Sequence, residues 1–208
     1  MFVYDTETVG DKTALPLLPK PEPPANYKSS EAIDKWMAEA VPKQIARMSL
    51  IPSECRIVAL AWDADGVMNV RLCYQKDEYE RVALREFWAA FSNAHDPVGY
   101  NVNFDLPVLM TRSRILGVTH PRIELRKYGT AGIRDLMLEL SFGGINDFRS
   151  LNFWCKRFNL TVPEDPNTGK DIAALVDEDT EEAWDQIRQH VTADVLKTRI
   201  LAEYLNLL

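Results

Sequence analysis

Two acids one residue apart follow directly on an apolar run at the start of the chain: Met1-Phe2-Val3-Tyr4-Asp5-Thr6-Glu7-Thr8. Side chains of a strand repeat every two residues, so Asp5 and Glu7 share a face if the strand runs on through Glu7. Neighbouring carboxylates repel, and a divalent cation between them removes the repulsion. Hard ions such as Mg²⁺ and Mn²⁺ take carboxylate oxygens. The plainer reading of the same residues is an acidic turn after a first strand. A second stretch, Gly99-Tyr100-Asn101-Val102-Asn103-Phe104-Asp105, puts Asp105 in the first turn of a helix, where the helix N-terminus stabilises a carboxylate. Taken alone, Asp105 is a capping acid and Asn101 and Asn103 are turn or cap residues. Phe104 is then core, or a ring able to stack on a nucleobase. A third stretch places His190 and Asp194 four apart on one helix face; taken alone, they form a surface or half-buried pair.

These residues need elements to hold them. Phe2, Val3 and Tyr4 favour a strand. Residues 9–52 read as an insertion between the first two strands: a proline-rich arm over 15–24, then a helix capped at Ser29 or Ser30 and ending near residue 40, with Pro42 opening or interrupting a second helical stretch up to Met48. Residues 55–63 and 67–74 flank the turn signal Ala64-Asp65-Gly66 and predict a hairpin. Residues 77–94 have helical spacing, with Tyr79, Val82, Ala83, Phe87, Ala90 and Phe91 on one face. A short strand over 97–100 leads into a helix that stops at Gly117. A strand-to-helix segment lies around Asp135, a helix starts at Ser150, residues 159–170 form a loop, a short helix covers 171–176, and one or two helices cover 180–207. Strands come early and helices late, which predicts a mixed α/β sheet covered by helices in a single domain over 1–208.

The totals exclude several classes. The chain has 208 residues, 46% hydrophobic and 26% charged, an ordinary globular composition. No apolar run is long enough for a bilayer, and no basic region followed by an apolar core opens the chain, so neither a membrane span nor a secretory signal is expected. Cys55, Cys73 and Cys155 are an odd set with no CxxC pair; a reducing cytoplasm and three buried thiols are expected. The net charge of −7 does not announce a nucleic-acid binder, but residues 101–160 hold nine Lys/Arg against five Asp/Glu. This basic middle, from Arg112 through Arg126, Lys127 and Arg134 to Arg149, Lys156 and Arg157, either faces a phosphate backbone or is a solvated mixed surface.

Taken together, the three stretches resemble the DnaQ-like, or DEDD, superfamily of 3′→5′ exonucleases on a ribonuclease H-like fold. Asp5-Thr6-Glu7 matches its first motif, Asn101–Asp105 its second and His190–Asp194 its third, in order and across essentially the whole chain. Gly169-Lys170-Asp171-Ile172 and Asp194-Val195-Leu196-Lys197-Thr198 look like the exonucleases related to the proofreading domain of family B DNA polymerases. The superfamily's third motif is usually Tyr-x3-Asp or His-x4-Asp. This chain has His-x3-Asp, so His190 stands in the place usually held by a tyrosine.

The resemblance implies a site and a reaction. Asp5, Glu7, Asp105 and Asp194 would hold two Mg²⁺ or Mn²⁺ ions ~3.5–4 Å apart, and His190 would take the proton of the attacking water. Thr6, Thr8, Asn101, Asn103 and Phe104 are the candidate substrate contacts. The implied substrate is the 3′ end of a single strand, DNA in preference to RNA. The alternatives are an RNA-trimming exonuclease of the same superfamily and a catalytically weak nucleic-acid-binding module.

Overall fold

The central strand is the one that carries the first two acids. β1 spans Phe2–Gly10 and is buried along nearly its whole length. The computed structural model describes residues 1–126, 129–130 and 132–206, which covers all the candidate site residues; Lys127 of the basic middle and position 207 of the expected 180–207 helical stretch lie outside the described residues.

The fold is α/β, with a five-stranded mixed sheet flanked by helices. β2 (Cys55–Ala64) runs antiparallel to β1, and β3 (Val67–Leu72) returns antiparallel beside it. The hairpin turn between them has Asp65 and Gly66 both in the left-handed region (φ 50° and 92°), the conformation that suits the twist of the two strands. On its other side β1 pairs in parallel with β4 (Pro97–Gly99), which pairs in parallel with β7 (Arg134–Asp135). The sheet order is β3-β2-β1-β4-β7. A two-stranded ribbon, β5 (Leu125–Arg126) and β6 (Gly129–Thr130), stands apart from it.

Two apolar layers sandwich the sheet. On one face, Phe2, Tyr4, Leu60 and Trp62 pack under α2 (Asp77–Phe91) and α3 (Val102–Ile115). On the other, Val3, Val9, Ala59 and Ala61 pack under α5 (Leu151–Arg157), α6 (Ile172–Glu178) and the long α7 (Glu181–Asn206). The short α4 (Leu136–Leu140) follows β7, capped by the Asp135 carboxylate accepting from the Met137 and Leu138 amides. No described helix is long and apolar enough to cross a membrane, and Cys55, Cys73 and Cys155 are buried free thiols.

Three expectations change. The insertion does not begin at residue 9, because Val9 and Gly10 still pair with Arg56 and Cys55; the arm between the strands covers 11–54. Its helix is unbroken: α1 runs over Ser30–Met48 with Pro42 inside. Pro42 and Ala38, whose carbonyl loses its helical partner there, are both exposed, so water can satisfy the freed group. On α2 the buried side is Glu80, Ala83, Leu84, Phe87 and Trp88, whereas Tyr79 and Val82 are about half exposed.

Glu80 is buried in that apolar face because Arg112 meets it. The Arg112 guanidinium donates two bonds to the Glu80 carboxylate (2.6 and 2.9 Å) and a third to Asp11 Oδ2 (2.7 Å). All three side chains are nearly or fully buried, and Glu80 also accepts from the Ile57 amide (3.2 Å). Arg112 therefore ties α3 to α2 and to the end of β1; it is not available to a phosphate backbone.

Candidate active site

β1 outlasts its parallel neighbour. Its pairing with β4 ends at Val3–Val98, while its pairing with β2 continues to Gly10. Asp5, Thr6 and Glu7 thus lie on an edge that β4 no longer covers. The first turn of α3 and the middle of α7 reach that edge from the two sides of the sheet.

Alternation along β1 decides which residue meets which helix. Val3 and Val9 belong to the layer under α7, so Asp5 and Glu7 face that way too; Phe2 and Tyr4 belong to the layer under α3, and Thr6 follows them. The pairing of β1 with β2 shifts between Glu7 and Thr8, with Ala59 and Ile57 opposite and Val58 between them. The extra residue sits on β2, so β1 keeps its alternation through the acids. Thr6 Oγ1 donates to Asp105 Oδ1 (2.6 Å), and Glu7 Oε1 lies 3.2 Å from His190 Nε2.

His190 is bracketed from its other side by Asp165, whose Oδ2 stands 2.6 Å from Nδ1. Lys197, one turn beyond Asp194 on α7, donates to Asp165 Oδ2 (3.2 Å) and to Asp194 Oδ1 (2.8 Å). Ligating atoms of Glu7, His190 and Asp194 all lie within 4.8 Å of one another. Asp5 and Asp105 stand outside that trio but close enough for their charges to act on each other and on Glu7.

The electrostatics show a concentration of acids that His190 and Lys197 offset only in part. Burial holds the Asp5 carboxyl well above the usual carboxylate range, and Asp105, Glu7 and Asp194 push it further. Burial also raises Glu7, against the bond and charge of His190. The Asp105 carboxyl is pushed up to about 7 by burial, with Glu7 and Asp135 adding to it and the Thr6 hydroxyl opposing. For His190, burial disfavours charge, but Glu7, Asp165 and Asp194 outweigh it and push its pKa up to about 9. Below these acids, Asp135 Oδ2 and the Tyr4 hydroxyl are buried with no hydrogen-bond partner among the described residues.

A cavity of about 710 Å³ opens beside Thr6 and Glu7. Its walls are β1, the last turns of α1 (Ile45, Ala46, Ser49), Leu50, Phe104, the loop Thr168–Lys170 and α6 (Ala173, Val176). The arm between β1 and β2 therefore shapes the space next to the acids.

The five residues expected to do chemistry, Asp5, Glu7, Asp105, His190 and Asp194, meet at this edge. The expected substrate contacts do not all face the cavity with a free group. The Thr6 hydroxyl is committed to Asp105, and the Thr8 hydroxyl donates to the Ser49 carbonyl (2.7 Å), fastening β1 to the end of α1. Asn101 caps α3 with a left-handed backbone (φ 64°), a conformation asparagine tolerates, and its amide donates to Asp135 Oδ1 (3.2 Å). Asn103 is half-buried in the first turn of α3. Phe104 is half-buried, packs on the α3 layer and lines the cavity.

Two residues of the network were given no role in the sequence reading. Lys197 is three residues from Asp194 on a helix, a spacing that places both on one face, so its signal was present. Asp165 lies in an irregular Pro-Glu-Asp-Pro segment with no periodicity to mark it.

No protein-family model matches the chain. An uncharacterized protein of Methanocaldococcus jannaschii, MJ0365, is 31% identical over 172 residues, covering 78% of this chain and 92% of its own length. The chain belongs to the family of that archaeal protein. The kinship extends over nearly the whole of the relative, whose printed description assigns it no activity.

Proposed function

We propose that the protein is a metal-dependent 3′→5′ exonuclease of the DnaQ-like superfamily, on a ribonuclease H-like fold, acting on single-stranded DNA 3′ ends. One observation carries the reading: carboxylates from β1, α3 and α7, far apart in sequence, are gathered and partly buried at one strand edge, where burial and mutual repulsion raise the pKa values of Asp5, Glu7 and Asp105. Such a cluster disfavours the folded chain unless cations join it. Its donor set, carboxylate oxygens with one imidazole, suits Mg²⁺ or Mn²⁺. The mixed sheet flanked by helices accords with the proposed fold, and the order of the motifs along the chain supports the superfamily.

Asp5, Glu7, Asp105 and Asp194 would hold the ions. When bound, divalent ions of this kind activate a water and stabilise the leaving 3′ oxygen of a phosphodiester. The chain's own residues do the rest. Thr6 fixes the rotamer of Asp105, and Lys197 fixes that of Asp194. Asp165 fixes the His190 ring by its Nδ1 side, so that Nε2 points to the acids. With cations on the carboxylates around it, His190 would lose what favours its proton, and Nε2 would be the atom placed to receive one. The cavity beside Glu7 takes the terminal nucleotide, with Phe104 in its wall.

The experiment is digestion of 5′-labelled single-stranded DNA and RNA of the same sequence, side by side, with Mg²⁺, Mn²⁺ or EDTA. Stepwise shortening from the 3′ end that requires metal and is lost in Asp5→Asn is the expected result. Faster shortening of the RNA makes the protein an exoribonuclease of the same superfamily. No shortening of either strand overturns the enzymatic reading. A binding module is favoured by one observation: His190 and Lys197 already pair with three acids of the cluster, Glu7, Asp165 and Asp194.

A further inference from the structure

Phe142 and Ile145 are 69% and 86% exposed, on a segment where every residue from 142 to 150 is open to solvent. Phe142 also takes a left-handed backbone (φ 54°), followed by Gly143 and Gly144 at φ 71° and 87°. A phenylalanine in that region is strained, yet here it presents its ring to water. Next to it, α5 buries Leu151 and Cys155 and turns Phe153, Lys156 and Arg157 outward. The Arg149 guanidinium lies 5.7 Å from the centre of the Phe153 ring. Phe142, Ile145, Arg149 and Phe153 line a hollow of about 460 Å³.

Charge and position say what this surface meets. Across residues 141–163 the sequence has Arg149, Lys156 and Arg157 against the single acid Asp147, in a chain whose net charge is −7; Arg149 donates to Asp147 (3.3 Å), and Lys156 and Arg157 are exposed with no ion-pair partner among the described residues. Apolar rings interleaved with arginine and lysine match a flexible anionic chain that carries flat bases. The elements beneath this surface touch those that carry the acids. The Tyr100 hydroxyl, just past β4, donates to the Arg149 carbonyl (2.5 Å). On the inner side of α5, the Cys155 thiol is close enough to feel the charges of Lys197 and Asp194.

We propose that the 142–157 surface is a binding track for single-stranded nucleic acid, in which Phe142 and Phe153 stack on bases, Ile145 packs beside them, and Lys156 and Arg157 hold phosphates. The track leads the strand to the acid edge of β1, and that direction rests on the exonuclease reading; the binding itself does not.

Binding is measured without cleavage, by fluorescence anisotropy of a labelled twelve-nucleotide oligothymidylate in EDTA. The double variant Phe142→Ala/Ile145→Ala changes two exposed side chains and should weaken binding roughly tenfold or more. Lys156→Glu/Arg157→Glu should weaken it further and flatten the dependence of affinity on salt. An abasic strand of equal length should bind the parent weakly and be indifferent to the loss of Phe142 and Ile145. A second readout is hydrolysis of the p-nitrophenyl ester of thymidine 5′-monophosphate, too short to reach the track. All track variants should hydrolyse it at the parental rate, with Asp5→Asn inactive. Unchanged oligonucleotide affinity in both variants overturns the track. So does a change confined to oligomeric state in sedimentation, which would make the surface a contact between copies. A parent that binds the strand through these residues but cleaves neither substrate refutes the exonuclease and leaves the track standing.

Discussion

Asp165 Oδ2 stands 2.6 Å from His190 Nδ1, while Nε2 of the same ring faces Glu7 at 3.2 Å. A histidine held between two carboxylates is not the free imidazole, titrating near ~6.5, that its place in the sequence implied. Against burial, Glu7 and Asp165 favour its protonated form and push its pKa above that value. Nuclear magnetic resonance of His190 in metal-free protein should give a midpoint near 9, in keeping with the geometry. Asp165→Asn should move that midpoint down, because one anion is gone, while leaving Glu7 in place. An unmoved midpoint would show that Asp165 is not what holds the proton.

His190→Ala should lower turnover by roughly 10²–10⁴, the range for a lost proton-transfer group. His190→Tyr should retain part of the activity, because the three-residue spacing to Asp194 suits a tyrosine hydroxyl, and its pH–rate profile should lose the limb that belongs to histidine. Parental turnover in His190→Ala across pH would remove His190 from the reaction.

Asp5→Asn should abolish cleavage yet leave the metal-free protein as stable as the parent, or more so. Asp105, Glu7 and Asp194 all act to raise the Asp5 carboxyl, so a neutral amide relieves repulsion. Thermal denaturation in EDTA reads the stability and strand digestion reads the activity. A large fall in melting temperature with cleavage retained would make Asp5 a structural acid.

Stability of the metal-free chain should fall as pH rises from 6 to 9.5. Asp5, Glu7, Asp105 and His190 all bind their protons more tightly folded than unfolded. Their contribution is complete below the unfolded values, ~4 for the carboxyls and ~6.5 for the imidazole. It is lost as pH climbs through the folded values, about 7 for Asp105 and about 9 for His190. Asp11 and Asp165 are shifted the other way, so their contributions fail only in acid below the usual carboxylate range. Mg²⁺ should stabilise more at pH 8.5 than at pH 6, since it competes with these protons. Melting curves with and without Mg²⁺ at both pH values test this; a metal effect that shrinks as pH rises contradicts it.

Arg112→Met should cost roughly 3–5 kcal/mol, because Asp11 loses its guanidinium partner and buried Glu80 keeps only Arg56 Nη2, at 3.5 Å. For a chain of this size that is a fall of about 10 °C or more in melting temperature. A loss under 1 kcal/mol would mean that water reaches the two acids.

Much of this arrangement was legible in the residues. The β1 acids, the Asp65-Gly66 hairpin, the Ser150 cap and the final helix followed from local rules of pleat, turn and cap. Arg112 did not: it reads as one more cation in a basic stretch, and only the burial of Glu80 from another helix reveals its task. Pro42 misled for the opposite reason, since a proline breaks a helix where the freed carbonyl cannot reach water, and exposure is a tertiary property. Asp165 was invisible because loops have no period, and its partner is 25 residues away.

The arm between β1 and β2 is clamped at both ends, by Asp11 on Arg112 and by Thr8 on the Ser49 carbonyl. What lies between those two clamps can be shortened, lengthened or exchanged while the ends stay where β1 needs them, because closing a somewhat longer loop adds little entropic cost. The arm's last turns nevertheless form a wall of the cavity beside Glu7. The width of the space offered to a substrate is thus written in a segment separate from the residues that would cut it, and either can be redesigned without the other.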